Sequence, residues 1–188
     1  MKILIIAAHP DDEVLGVGGT IIKHVKSGDD VKIIILATGI MARRKSGIQN
    51  SVIYKPTNSE LLKMKKEIES LKKDAERAAK ILGVSKISFY DFPDNEMDSV
   101  PLLQIIKVVE NEIKNEKPDK IYTHYRNDLN IDHRITFNAC LTACRPITKK
   151  SIELISFETP SSTEWNYPNM FNPNYFIDIS KVKKIKIK

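Results

Sequence analysis

The stretch KILIIAAHPDDEVLGVGGTIIKHV (residues 2–25) decides the fold. Residues 3–8 are an unbroken apolar run, the pattern of a strand buried on both faces of a sheet, not the alternation of a half-exposed one. The second half, from residue 12 to Gly28, has the pattern of a helix. Between them stand a histidine, a proline and three consecutive acids, His9 to Glu13, where a buried strand hands over to its helix.

Working outward, the same alternation repeats. VKIIILAT (31–38) is a second continuous apolar run, and KISFYDF (86–92), KIYTHY (120–125) and ELISFE (153–158) are further strand candidates. Helical patterns lie between them over 59–83, closed by Gly83, over 101–117 behind Ser99 and Pro101, and over 133–144. Strand and helix in turn predict an α/β fold: a three-layer (αβα), Rossmann-like arrangement with a mostly parallel sheet. With 188 residues, one domain spanning 1–188 is the expectation. Its basic end KVKKIKIK breaks off abruptly, as a truncated chain would. The polar stretch 39–58 reads as a loop of the length that functional lids have.

Composition excludes several classes. Five of the six net positive charges sit in the last eight residues, so the pI of 9.2 describes a tail and not a nucleic-acid-binding face. Lysines over 62–80 interleave with acids at helical spacing, as on a solvated helix face. There is no apolar run of bilayer length and no secretory leader, which predicts a cytoplasmic protein without a transmembrane segment. Cys140 and Cys144 fit a helix face packed in the core better than a disulfide framework or a metal site.

In an open parallel sheet, ligands bind at the carboxyl ends of the strands, and the unusual polar residues collect there: AAHPDDE, LATGIMARR, YDFPDNE and THYRNDLNIDH. His9 and Asp12, three apart across a strand-to-helix turn, can converge on one cation. His133, at a later strand end, can supply a third ligand, leaving the open position of a catalytic zinc. Asp11 and Asp12 diverge by about 100° in a first helical turn, so they suit different tasks, one as ligand and one as general base. The plainer reading is a helix start favoured by the macrodipole, with Asp132 as a cap before a surface histidine. Spacing alone leaves both open. Gly16, Gly18 and Gly19 follow the acids and lie inside the helix, which fits close packing and not a phosphate loop.

AAHPDDEVLGVGGTI, paired with THYRNDLNIDHRIT, closely resembles the LmbE-like, or PIG-L, family of zinc-dependent de-N-acetylases. LATG, YDFPDNEMD, ETPSSTEWN and FNPNYFIDIS look like further family segments, so the resemblance covers residue 1 to about 180. It implies an amidohydrolase that removes acetyl from an N-acetylated amino sugar of the N-acetylglucosamine type, free, nucleotide-linked or lipid-linked. Carried over by position, it implies zinc ligands His9, Asp12 and His133, Asp11 as general base and later acid, and Asp132 behind the ligands. It also implies an arginine in the loop after the second strand, Arg43 or Arg44, to hold substrate. From the residues themselves, Asp94 and Asn95 in FPDNE can either hydrogen-bond sugar hydroxyls or form an Asx turn after Pro93. Asn130 departs from the family's histidine; its amide can donate to an oxyanion without an imidazolium's charge, and His124 is either the other candidate or a histidine satisfied in the core. A homo-oligomer is compatible with the sequence. The alternatives are a metal-free Rossmann-like module that binds nucleotide sugars or transfers glycosyl groups, and a phosphoesterase, which would prefer more carboxylates and a second metal.

Overall fold

The computed structural model describes residues 1–37, 40, 56–146 and 151–187. Strands β1 (Lys2–Ala7), β2 (Asp30–Ala37), β3 (Lys86–Phe92), β4 (Lys120–Thr123) and β5 (Glu153–Ser156) form one sheet in the order β3-β2-β1-β4-β5. Every pairing is parallel. The α/β expectation therefore holds, and "mostly parallel" becomes wholly parallel among the described residues.

Alternation along β1 sorts the helices into two layers. Ile3, Ile5 and Ala7 pack with Val17, Ile21 and Ile22 of α1 (Asp12–Lys26), with Ala79 and Leu82 of α2 (Asn58–Leu82), and with Val182 just before α5 (Lys183–Ile187). Leu4 and Ile6 pack on the opposite face with Ile105, Ile106 and Val109 of α3 (Leu102–Glu116) and Ala139, Cys140 and Ala143 of α4 (Ile131–Ala143). Fully buried side chains such as Ile5 and Ile6 each contribute about 1.5–3 kcal/mol of apolar transfer. Cys140 is a core residue and Cys144 flanks it, as expected.

Two of the helix-start glycines owe their place to close approach. A Cβ on Gly16 would stand 2.5 Å from the Phe157 ring and 2.9 Å from the Glu158 carbonyl, and one on Gly19 would stand 2.7 Å from Ile179. α1 thus lies flush against the segments that follow β5. His24 is a packing residue, Nδ1 against Asp29 at 2.7 Å and Nε2 against the Tyr122 hydroxyl at 3.0 Å.

The connections β1-α1-β2-α2-β3 progress to one side of β1, and the chain then crosses behind through α3 to place β4 on the other side. Strand order reverses between β1 and β4. The carboxyl ends of those two strands bound the crevice in which such sheets bind ligands.

Candidate metal centre

β1 ends at buried Ala7, and the chain turns through Ala8, also buried, and then His9, Pro10 and Asp11 into α1. Asp12 opens the helix with its Oδ2 accepting the His9 backbone N–H at 3.0 Å, which ties the turn to itself. On the far side of the crevice the Asn130 side chain caps α4, accepting the Asp132 N–H at 2.8 Å, and so delivers His133 in the first turn. His9 Nδ1 and His133 Nε2 stand 3.4 and 3.2 Å from Asp12 Oδ2 and 3.3 Å from each other. Ligand atoms 2.0–2.2 Å from a tetrahedral cation are separated by ~3.3–3.6 Å, so the three atoms fit zinc without rearrangement and leave its fourth position open.

The other ring nitrogens meet carboxylates, the arrangement that orients metal-binding imidazoles. His9 Nε2 lies 2.9 Å from Asp132 Oδ2 and 3.1 Å from Asp94 Oδ1. Asp132 is itself held by the backbone N–H groups of Asn95 at 2.6 Å and Met97 at 3.1 Å. His133 Nδ1 lies 3.0 Å from Asp128 Oδ2, which also accepts the Ser162 hydroxyl at 2.9 Å. His124 stacks on His133 with centroids 3.9 Å apart, and its Nε2 accepts the Ala8 N–H at 2.9 Å.

Electrostatics follow from this packing. Burial alone would raise Asp12, but the imidazoles of His124, His133 and His9 outweigh it and hold its carboxyl well below the usual range. Burial would lower His9 and His133; the carboxylates around them prevail and push them up to about 11 and about 9. His124, buried and beside His133, falls to about 3 and is neutral. Without a cation, protons on His9 and His133 therefore supply the positive charge at pH 7. A cation needs those lone pairs, so its uptake at pH 7 should expel up to two protons, and affinity should rise with pH steeply to about 9, where His133 loses its proton, and less steeply on to about 11, where His9 loses its own. Calorimetric zinc titrations in buffers of different ionisation enthalpy measure this release. A value near zero would contradict the ligand set.

The structure gathers His9, Asp12, Asp94, Asn95, Asn130, Asp132 and His133 at one crevice, while Asp11 stands exposed in the turn next to Asp12 and borders the cavity between α1 and α2. Asp94 is 1% exposed and faces the His9 ring. Exposed Asn95 has φ 53° and lies beside Asn130, whose Nδ2 donates to its Oδ1 at 3.2 Å. His124 is fully buried and accepts from the backbone, which withdraws it from donating to a substrate oxygen. Arg43 and Arg44 lie outside the described residues, as does the 39–58 loop except at Ile40 and 56–58.

Sequence reasoning passed over Asp128, Ser162 and Glu13. Asp128 carries a weak local sign, an Asx turn in which its Oδ1 accepts the Asn130 N–H at 2.8 Å. Ser162 carries none, since it meets the site 29 residues away from His133. Glu13 is 0% exposed and looks in sequence like any first-turn acid; burial, above all, pushes its carboxyl up to about 7.

The family model described as PIG-L, GlcNAc-PI de-N-acetylase, matches residues 4–144. Diacetylchitobiose deacetylase of Thermococcus kodakarensis is 30% identical over 196 residues, covering 100% of this chain and 67% of that protein. N,N'-diacetylchitobiose deacetylase of Pyrococcus horikoshii superposes with a TM-score of 0.71 at 23% identity, over 99% of this chain and 67% of that one. A 4-carboxy-2-hydroxymuconate hydratase from Pseudomonas putida superposes nearly as well, with a TM-score of 0.70 at 21% identity over 98% and 75% of the two chains. At such identities the superpositions speak for the fold alone. No described helix is long and apolar enough to cross a membrane.

Proposed function

Since the chain belongs to the PIG-L de-N-acetylase family of amidohydrolases, we propose that it hydrolyses the N-acetyl group of an amino sugar of the N-acetylglucosamine type, with His9, Asp12 and His133 holding zinc. The observation that carries this reading is the convergence of His9 Nδ1, Asp12 Oδ2 and His133 Nε2 to 3.2–3.4 Å beside an exposed acid, Asp11. A divalent ion held there would polarise the amide carbonyl and make water nucleophilic at neutral pH.

The chain's own groups do the rest. Asp132, Asp94 and Asp128 fix the two rings, so their lone pairs stay aimed at one point. Asp11 takes the proton from the attacking water as its oxygen bonds to the carbonyl carbon. As the C–N bond breaks, Asp11 returns that proton to the departing nitrogen, giving acetate and a free amine. Asn130 keeps its oxygen on the helix cap and presents its amide N–H groups beside Asn95, near where negative charge develops on the carbonyl oxygen. A metal-free nucleotide-sugar module would share the sheet but has no use for three buried ligand atoms at such separations, each backed by a carboxylate or a backbone donor.

The zinc-loaded chain should release primary amine and acetate in equal amounts from at least one member of a panel: N-acetylglucosamine, N,N'-diacetylchitobiose, and nucleotide-linked and lipid-linked N-acetylglucosamine. Chelation should stop the reaction, and zinc should restore it. A folded, zinc-loaded protein that releases amine from none of them would overturn the reading.

A further inference from the structure

Asp11 does not behave as an acid at a helix start ordinarily does. Asp in the N-cap position folds its side chain back onto the N–H groups of the first turn. Asp11 makes no such cap bond, and its backbone sits at φ 114°, ψ −31°, in the left-handed half of conformational space that L side chains rarely adopt. Glu13 takes over the capping. Its buried carboxylate reaches back to accept the Asp11 N–H on Oε2 at 3.1 Å and also meets its own N–H, while Oε1 has no hydrogen-bond partner. The cavity that Glu13 lines between α1 and α2 is walled mostly by apolar groups, Val14, Leu15, Leu71 and Ala75 among them, with Asp11 and Asp74 also bordering it. An acid 0% exposed in such surroundings sits there against a desolvation cost, and the turn is the polar structure that it serves.

We propose that Glu13 is a positioning residue: by holding the Asp11 N–H it keeps Asp11 in its left-handed turn, so that the Asp11 carboxylate is presented outward to the reacting amide and does not fold back to cap α1. This rests on the reading of Asp11 as general base. Without Glu13 the turn relaxes toward an ordinary capped helix start. Asp11 is then misaimed while His9 and Asp12, whose own bond at 3.0 Å does not involve Glu13, stay in place.

The test is a double-substitution cycle on the full, zinc-loaded chain. Glu13→Ala should lower kcat by about 10–100-fold with KM and zinc stoichiometry unchanged. Glu13→Gln, whose amide oxygen can accept the same N–H, should stay within about threefold. In an Asp11→Asn background, Glu13→Ala should cost less than about twofold, because the group it aims is already gone. Equal factors in both backgrounds, or loss of zinc in Glu13→Ala, would overturn the proposal. A separate readout does not depend on catalysis. By NMR, with and without zinc, the residue 11 amide proton should lose its hydrogen-bonded shift and exchange protection in Glu13→Ala and keep both in Glu13→Gln. An unchanged residue 11 amide in Glu13→Ala overturns the Glu13 role even if deacetylation itself is never observed. Full activity of Asp11→Asn would instead remove the general-base reading on which that role depends.

Discussion

His133→Ala should leave a folded chain that binds zinc ~10²–10³-fold more weakly and deacetylates at background rate. Structural zinc sites contribute about 10–16 kcal/mol; shared over four ligands, that is roughly 2.5–4 kcal/mol for each, which gives the factor stated. Removal of His133 also leaves the buried carboxylates of Asp12 and Asp128 without the ring that stood 3.2 and 3.0 Å from them. An uncompensated buried charge costs several kcal/mol, so the variant should melt lower when metal-free and recover part of that loss in excess zinc. Asp128→Asn supplies the control. It leaves the three ligand atoms intact and only loosens the ring behind them, so its affinity should fall about 10–100-fold. Metal analysis after gel filtration, with competition against a chromophoric chelator, ranks the two. A His133→Ala protein that holds zinc as tightly as the parent removes His133 from the ligand set.

That ranking mirrors what could be read in the sequence. Strands announced themselves because a sheet covered on both faces needs continuous apolar runs, and KILIIAA and VKIIILA are such runs. Boundaries slipped where side chains turn from the sheet to the crevice: β4 ends at Thr123, before His124 and Tyr125, and β5 ends at Ser156, before Phe157 and Glu158. His9 and Asp12 could be paired because short spacing at a strand end is a local pattern, whereas His133, far along the chain at a strand end of its own, was joined to them through the family resemblance. Their supports were not visible, since Asp128 reaches His133 around a loop and Ser162 arrives from the segment beyond β5. Asp94 is a like case: nothing local in FPDN points to His9, and only the tertiary fold puts its carboxylate there. A residue that touches another residue is written in two places at once, and a single sequence displays only one of them.

Asp11→Asn and Asp12→Asn should fail in different ways, although the two acids are adjacent. Asp12 is 5% exposed, accepts the His9 N–H, and has three imidazoles around it that favour its charged form. An amide in its place halves the oxygen donors and removes the charge that balances a divalent ion, so metal content should fall along with activity. Asp11 is exposed at the turn and belongs to none of the three side-chain groupings that could hold a cation among the described residues. Asp11→Asn should therefore keep about one zinc per chain while kcat falls by about 10²–10⁴, the usual worth of a positioned acid or base, or roughly 3–5 kcal/mol of barrier. KM should change little, because the proton transfer belongs to the transition state. Zinc stoichiometry and single-turnover rates on the two purified variants separate these outcomes. If Asp11→Asn loses its zinc while Asp12→Asn keeps it, the two roles are exchanged. If both variants retain full activity, the acids between β1 and α1 are only a helix start, and the hydrolytic reading of the crevice fails with them.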